Sequence, residues 1–300
     1  MNRYLFTVAS WEERFIEGLR SSIEVYRPSK VLMYYYEGYE EKTKDNRELA
    51  FEFCGRYGIL IETHLLNFFE PQKNWSIIRN TISSSNSQHF EGLVDISTMP
   101  RDTIWTILFF LEKQNISIEY IYNKAKEYSK TWLSRDPGRP RLLYKMSGIA
   151  EIGLPTLLIV FPGYDFQRVI NLVNYFEPQK VIAGMHYESL YSKNDKQINE
   201  YLKIVGSKGN YEEFEFDSFN IEYGTSLLES YIEKYRNKYN ILLSSLGPKT
   251  SAIISYRVCC SFPEVGLCYI PCKEYNIDYS HGTNGFVNGR IVKNSIRSTI

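Results

Sequence analysis

Two stretches of this sequence bring hydroxyls, a proline and a cation together directly behind an apolar run, a combination suited to holding an anion. Ser97-Thr98-Met99-Pro100-Arg101 follows Leu93–Ile96, with Thr103 two residues on. Ser245-Leu246-Gly247-Pro248-Lys249-Thr250-Ser251 follows Ile241–Ser244. Behind a strand, a proline suits the first position of a helix, whose free N–H groups and positive dipole end attract phosphate. Hydroxyls add donors, Arg101 or Lys249 adds charge, and Gly247 lets a backbone come close to a ligand. The same residues also fit a bland role, with Ser and Thr capping helices while the cations reach solvent. Asp95, at the end of the first apolar run, is a candidate for a catalytic base or ligand, although bonding to neighbouring turn amides suits it better. Arg14 and Arg168 stand just behind acidic residues, Glu12 and Asp165, at two further strand-to-helix turns; an acid near a helix start also favours the dipole without any ligand.

Other chemistries lack their signatures. GxxxxGK[ST] and GxGxxG are absent, which argues against a P-loop enzyme or a dinucleotide dehydrogenase, and GxSxG and HExxH are absent too. The cysteines are Cys54, Cys259, Cys260, Cys268 and Cys272, with no CxxC among them. Buried reduced thiols are expected, with no metal site and no cofactor.

These loops need elements to hold them, and the chain alternates strand-like and helix-like segments throughout, the pattern of an α/β fold with mostly parallel sheets. Strands are expected at Tyr4–Val8, Val31–Tyr36, Ile59–His64, Leu93–Ile96 and Ile118–Tyr122, then at Leu157–Phe161, Val181–Met185, Glu213–Phe216, Ile241–Ser244 and Leu267–Ile270. Helices are expected between them, including Asp195–Val205 and Thr225–Tyr239. The halves match in order. FTVASWEERFIEGLRSSIEVYRPSKVLMYYYE sets beside LIVFPGYDFQRVINLVNYFEPQKVIAGMHYE, sharing an Arg in the first helical turn and an aromatic-x-Pro-x-Lys-Val ending. LVDISTMPRDTIWTILFF sets beside ILLSSLGPKTSAIISYRV at an offset of 148, and SIEYIYNKAKEYS beside GLCYIPCKEYNIDYS. The expected organisation is two tandem Rossmann-like units in a pseudo-two-fold duplication: residues 1–128, a basic linker at 129–154, and 155–300 carrying a C-terminal tail.

The whole chain of 300 residues is neutral, with 35 Lys+Arg against 35 Asp+Glu, which argues against coating nucleic acid through bulk charge. From Lys124 to Lys145, however, seven basic residues face two acidic ones. Arg139 and Arg141, in that stretch, are secondary candidates for contact with an anionic ligand, a partner or nucleic acid. No apolar run approaches the roughly 20 residues of a membrane span. Acidic residues follow the short apolar stretch of MNRYLFTVASWEERF, unlike a secretory signal, so a cytoplasmic protein without membrane contact is expected.

At DISTMPRDT, and again at SSLGPKTSA, the sequence resembles the CRISPR-associated Rossmann fold (CARF) superfamily and its relatives in prokaryotic conflict systems, in which a strand leads through a small, hydroxyl-rich loop to a Lys or Arg on the next helix. WLSRDPGRPRLLYKMSG, FPGYDFQR and LGPKTSA together are also similar to a family of bacterial proteins of about this length. The resemblance implies a sensor in antiphage defence that binds a nucleotide or another anionic small molecule. Arg101 and Lys249, assisted by Ser97, Thr98, Ser245 and Thr250, would share one pseudo-symmetric anion site. Output would pass to an effector protein or through a homo-oligomer. Two other classes stay open, a nuclease or other phosphodiester-processing enzyme and a structural subunit of a defence complex.

Overall fold

The computed structural model of the chain describes residues 2–85, 89–164, 166–187 and 210–291. It is an α/β protein of two compact units. The first holds β1 (Asn2–Val8), α1 (Glu13–Tyr26), β2 (Lys30–Tyr36), α2 (Glu40–Arg56), β3 (Leu60–Leu66), α3 (Pro71–Ser85), β4 (Phe90–Asp95), α4 (Arg101–Lys113) and β5 (Ile118–Tyr128). The second contains β6 (Ser134–Pro137), β7 (Arg141–Leu142), β8 (Thr156–Phe161), α5 (Phe166–Phe176), β9 (Lys180–His186), β10 (Tyr211–Phe216), α6 (Ile221–Tyr235), β11 (Asn240–Ser245), α7 (Thr250–Ser261), β12 (Gly266–Tyr269) and β13 (Cys272–Tyr275). A last strand, β14 (Ser280–Ile291), returns to the first unit. The helix expected at Asp195–Val205 lies outside the described residues.

The first sheet has the order β14-β5-β4-β1-β2-β3, the second β10-β9-β8-β11-β12-β7. Counting strands within each unit, both read 3-2-1-4-5, all parallel, with one antiparallel strand added beside the fifth. Parallel strands need crossover helices, which cover both faces of the sheet. The inner strands are accordingly apolar on both sides: Leu157, Leu158, Ile159 and Val160 of β8 are all fully buried. In α1, Phe15, Ile16, Leu19 and Ile23 repeat at helical spacing and pack onto Leu5, Val31 and Met33 of the sheet.

Local details recur at matching places in the two units. Arg27 and Glu177, each before a proline, take left-handed backbone angles (φ 47° and 43°) and end the first helix of their unit. Their N–H groups donate to the carbonyls of Ile23 at 3.0 Å and Val173 at 2.9 Å. Three residues later, Lys30 pairs with Glu62 at 2.5 Å and Lys180 with Glu212 at 3.1 Å, each pair joining the second strand to the third.

Two expected boundaries differ from the structure. The C-terminal tail, expected with the second unit, pairs antiparallel with β5 from Ser280 opposite Tyr128 to Ile291 opposite Ile118. The basic stretch 129–154 is largely built into the second unit: β6 forms a ribbon with β13, and β7 pairs with β12, placing Arg141 opposite Tyr269. Edge pairing explains both, because free backbone groups at the border of a sheet accept a polar strand that no core requires.

The cysteines other than Cys260 occupy the cores. Burial pushes the Cys54 thiol up to about 11 and those of Cys259 and Cys268 up to about 12, with Glu264 adding to the effect at Cys259. Cys272 is buried as well, and Cys260 is half-buried. Because the thiolate is the reactive form, a disulfide-exchange reagent at pH 8 is expected to titrate at most one thiol, Cys260, in the native protein and five in denaturant. Rapid native reaction of three or more would contradict this packing.

Candidate functional site

In an open α/β sheet of this order, the crevice for ligands lies outside the carboxyl ends of the first and fourth strands, where the order reverses. In the first unit the loops after β1 and β4 flank that point. Asp95, fully buried at the end of β4, accepts from the Ser97 N–H at 2.9 Å and its hydroxyl at 2.5 Å. The Ser97 oxygen accepts in turn from the backbone N–H of Asn123 at 2.7 Å and its side-chain amide at 3.1 Å. Asp95 and Ser97 thus tie the loop to β5. Thr98 donates to the Val8 carbonyl at 2.7 Å, closing the β4 loop against β1, and the Thr103 hydroxyl is bonded to that of Tyr36.

The cations lie deeper than expected. Arg14, only 1% exposed, donates to Glu12 Oε2 from Nη2 at 2.5 Å and Nε at 3.2 Å, to Ser280 Oγ at 3.1 Å and to the Asn123 carbonyl at 3.4 Å. Ser280 also donates to Glu12. Burial opposes the charge on Arg14, but the carboxylate of Glu12 and the phenols of Tyr128 and Tyr122 outweigh it and hold the guanidinium well above its usual pKa. Arg101, the first residue of α4, is buried, and its charge acts on Tyr122 and Tyr279. Burial pushes both of these phenols upward against the pull of Arg14 and Arg101. The first unit therefore gathers Arg14 and Arg101, the strand-end candidates of its two loops, into one polar cluster with buried Glu12 and Tyr122 and half-buried Tyr128 and Tyr279.

In the second unit the corresponding loops close on each other through backbone. The N–H groups of Leu246 and Gly247 both donate to the Phe161 carbonyl, at 2.8 and 2.9 Å. A Cβ on Gly247 would stand 2.5 Å from the Pro162 carbonyl oxygen, and one on Gly163 would stand 2.2 Å from that of Leu246. The close approach expected at Gly247 is thus made by the neighbouring loop. The hydroxyls of Ser245 and Ser251 bond to each other at 2.7 Å, Ser251 donates to the Pro248 carbonyl at 2.7 Å, and Thr250 donates to Ser218 at 3.3 Å. Lys249 is half-buried at the start of α7.

Arg168, the counterpart of Arg14, is buried and donates to the Ile270 carbonyl at 2.5 Å. Its guanidinium and that of Arg141 lie 5.4 and 5.7 Å from the Tyr269 ring, while Arg139 bonds to the Tyr175 hydroxyl at 3.1 Å. Arg141 and Arg168 therefore meet at one ring. Among the described residues, no group of three or more His, Cys, Asp or Glu is placed to hold a metal ion, and no helix is long and apolar enough to cross a membrane.

No family model matches the sequence, and no curated protein matches it. Solved structures do match the fold. It resembles that of a type III CRISPR defence DNA nuclease activated by cyclic oligoadenylate. The two share 8% sequence identity, with a TM-score of 0.57 over 86% of this chain and 64% of the nuclease chain. The present chain thus spans a little under two thirds of that protein's length. Can2 from Sulfobacillus thermosulfidooxidans, in complex with cyclic tetra-adenylate, also matches at 8% identity over 40% of this chain and 32% of its own, with a TM-score of 0.32. The likeness to the nuclease is one of fold.

Tyr122, Tyr128, Tyr279 and Ser280 escape a reading of the sequence alone, because they come from segments far from the Pro100–Arg101 motif. One signal is present: Tyr122 and Tyr128 are six positions apart, and even spacing in a strand selects one face. The antiparallel register of Ser280 with Tyr128 then brings the third tyrosine alongside.

Proposed function

We propose that the chain is a ligand-sensing protein of prokaryotic antiphage defence, with a cyclic oligoadenylate as its ligand and Arg101, beside the Arg14–Glu12 pair and the tyrosines of the first unit, as the group that receives phosphate. The observation that carries this reading is the fold shared over most of the chain with a defence nuclease whose activator is a cyclic oligoadenylate. The resemblance of DISTMPRDT and SSLGPKTSA to CARF sequences supports it independently. The common strand order, the paired left-handed caps before proline and the paired Lys–Glu bridges support reading the two units as a duplication.

A guanidinium suits a phosphodiester because it keeps its charge and offers several donors in a fixed fork; Arg101 has that chemistry at the start of α4, while Arg14 is committed to Glu12, Ser280 and the Asn123 carbonyl. Asp95 Oδ1 accepts from the Ser97 N–H and hydroxyl of its own loop, and the carboxylate is fully buried, which favours a structural role for that residue over a hydrolytic one. A nuclease or partner recruited by the sensor would supply the output.

Calorimetric titration with cyclic tri-, tetra- and hexa-adenylate tests the reading. Binding of at least one is expected, recovered chemically unchanged, and Arg101→Ala is expected to weaken it roughly 10- to 150-fold, the loss of a charge-assisted contact of about 1.5–3 kcal/mol. Failure of all three ligands to bind, or unaltered affinity in a folded Arg101→Ala variant, would sink the proposal. Cleavage of the ligand or of DNA, abolished by Asp95→Ala, would favour the enzyme instead.

A further inference from the structure

We infer that aromatic rings gathered at the carboxyl edge of the first unit form the nucleobase-binding part of the site, with Trp11 as the stacking residue. This inference rests on the nucleotide-sensor reading and adds to it the residue that meets a base.

The rings come from segments separate in sequence: Trp11 from the loop after β1, Tyr36 and Tyr39 from the end of β2 and the start of α2, Phe68 from the loop after β3, and Tyr275, the last residue of β13, with which the chain re-enters the first unit. Trp11 and Tyr39 stack with centroids 5.3 Å apart and planes 14° apart; Tyr36 and Phe68 stack at 3.8 Å and 13°. Tyr275 joins them, 6.1 Å from Tyr39 and 5.6 Å from Phe68. Tyr36 is bonded to Thr103 in the first turn of α4, two residues from Arg101, so the aromatic array begins where the buried cations are.

Packing explains the inner rings. Tyr36, Tyr39 and Phe68 are buried, as core aromatics are. Trp11 differs in three respects. It is half-exposed on a loop that flanks the crevice. Its indole N–H donates to the Asn276 carbonyl at 3.2 Å, which holds the ring in one orientation before any ligand arrives. The ammonium of exposed Lys42 stands 5.9 Å from its centroid and 5.0 Å from that of Tyr39. A fixed, accessible indole beside a solvent-facing cation matches the two chemistries of a nucleotide, a flat π-face next to a phosphodiester.

The test combines calorimetry and intrinsic fluorescence with cyclic tri-, tetra- and hexa-adenylate on the full chain. Wild type should bind with quenching. Trp11→Ala should bind roughly 5- to 150-fold more weakly, the range of one lost base stack. Trp11→Phe, which can still stack, should bind within about threefold of wild type and lose most of the quenching; this variant carries the test should the alanine variant fail to fold. Full affinity in folded Trp11→Ala, or undiminished quenching in Trp11→Phe, overturns the stacking role while leaving the sensor reading intact. No binding to wild type by calorimetry removes both.

Discussion

A Gly163→Ala protein is expected to lose on the order of 3 kcal/mol or more, the upper range for overpacking a rigid site, and its second unit to melt roughly 6–12 °C lower at the ratio expected for about 150 residues. The added Cβ would sit 2.2 Å from the Leu246 carbonyl oxygen and 2.8 Å from its carbon, both backbone atoms. Neither can swing aside as a side-chain tip would. Moving them would break the bonds from the Leu246 and Gly247 N–H groups to Phe161, which join the loop after β11 to the end of β8. Gly55, in α2, is the control: nothing lies within 4 Å of its would-be Cβ. Alanine there should stabilise by roughly 0.5–1 kcal/mol through helix propensity. Calorimetry or thermal circular dichroism on both variants reads the contrast. A Gly163→Ala protein as stable as wild type would mean that the two loops are not closed on each other as described.

Arg14→Met is expected to cost about 3–5 kcal/mol, the range seen when one partner of a buried ion pair is removed. Methionine fills much of the space, but Glu12, 8% exposed, is left with hydroxyl partners and no counter-charge. Glu12→Gln combined with Arg14→Met should recover a large part of the loss, because the amide removes the orphaned charge. Denaturant titration of these two variants and of Glu12→Gln alone isolates the coupling between the two sites. If the single variant unfolded at the wild-type midpoint, the guanidinium would not be neutralising a buried carboxylate. The pair also reaches β14 through Ser280 and β5 through the Asn123 carbonyl, so weaker protection of β14 amides from hydrogen exchange should accompany the loss.

The elements of both units were largely legible because the signals are local. Inner strands such as Leu157–Phe161 are apolar on both faces, α1 repeats its apolar residues at helical spacing, and the Pro-x-Lys-Val motif marks the end of one helix and the start of the next strand twice over. The polar loops were harder to read. Ser97, Ser245, Thr250 and Ser251 have the composition of a phosphate cradle, yet in the fold their hydroxyls are engaged with Asp95, Asn123, Ser218, Pro248 and one another. A hydroxyl's partner depends on which loop packs beside it, and composition does not encode that.

The placement of β14 shows the same division. Its sequence, SHGTNGFVNGRI, is too polar for a central strand, and nothing within it names the sheet it joins. The exposed border of β5 decides, through backbone pairing that any side-chain sequence can make. That pairing brings Tyr279 and Ser280 to Arg14 and Arg101, completing a cluster whose members lie up to 268 residues apart. By itself the sequence determined the α/β alternation, the matched halves and the two cations behind the strands, because periodicity and turn chemistry act between near neighbours. Only the tertiary structure decided that Arg14 and Arg101 share one cluster with three tyrosines while the corresponding loops of the second unit close through backbone, because those contacts join segments whose meeting depends on the whole sheet.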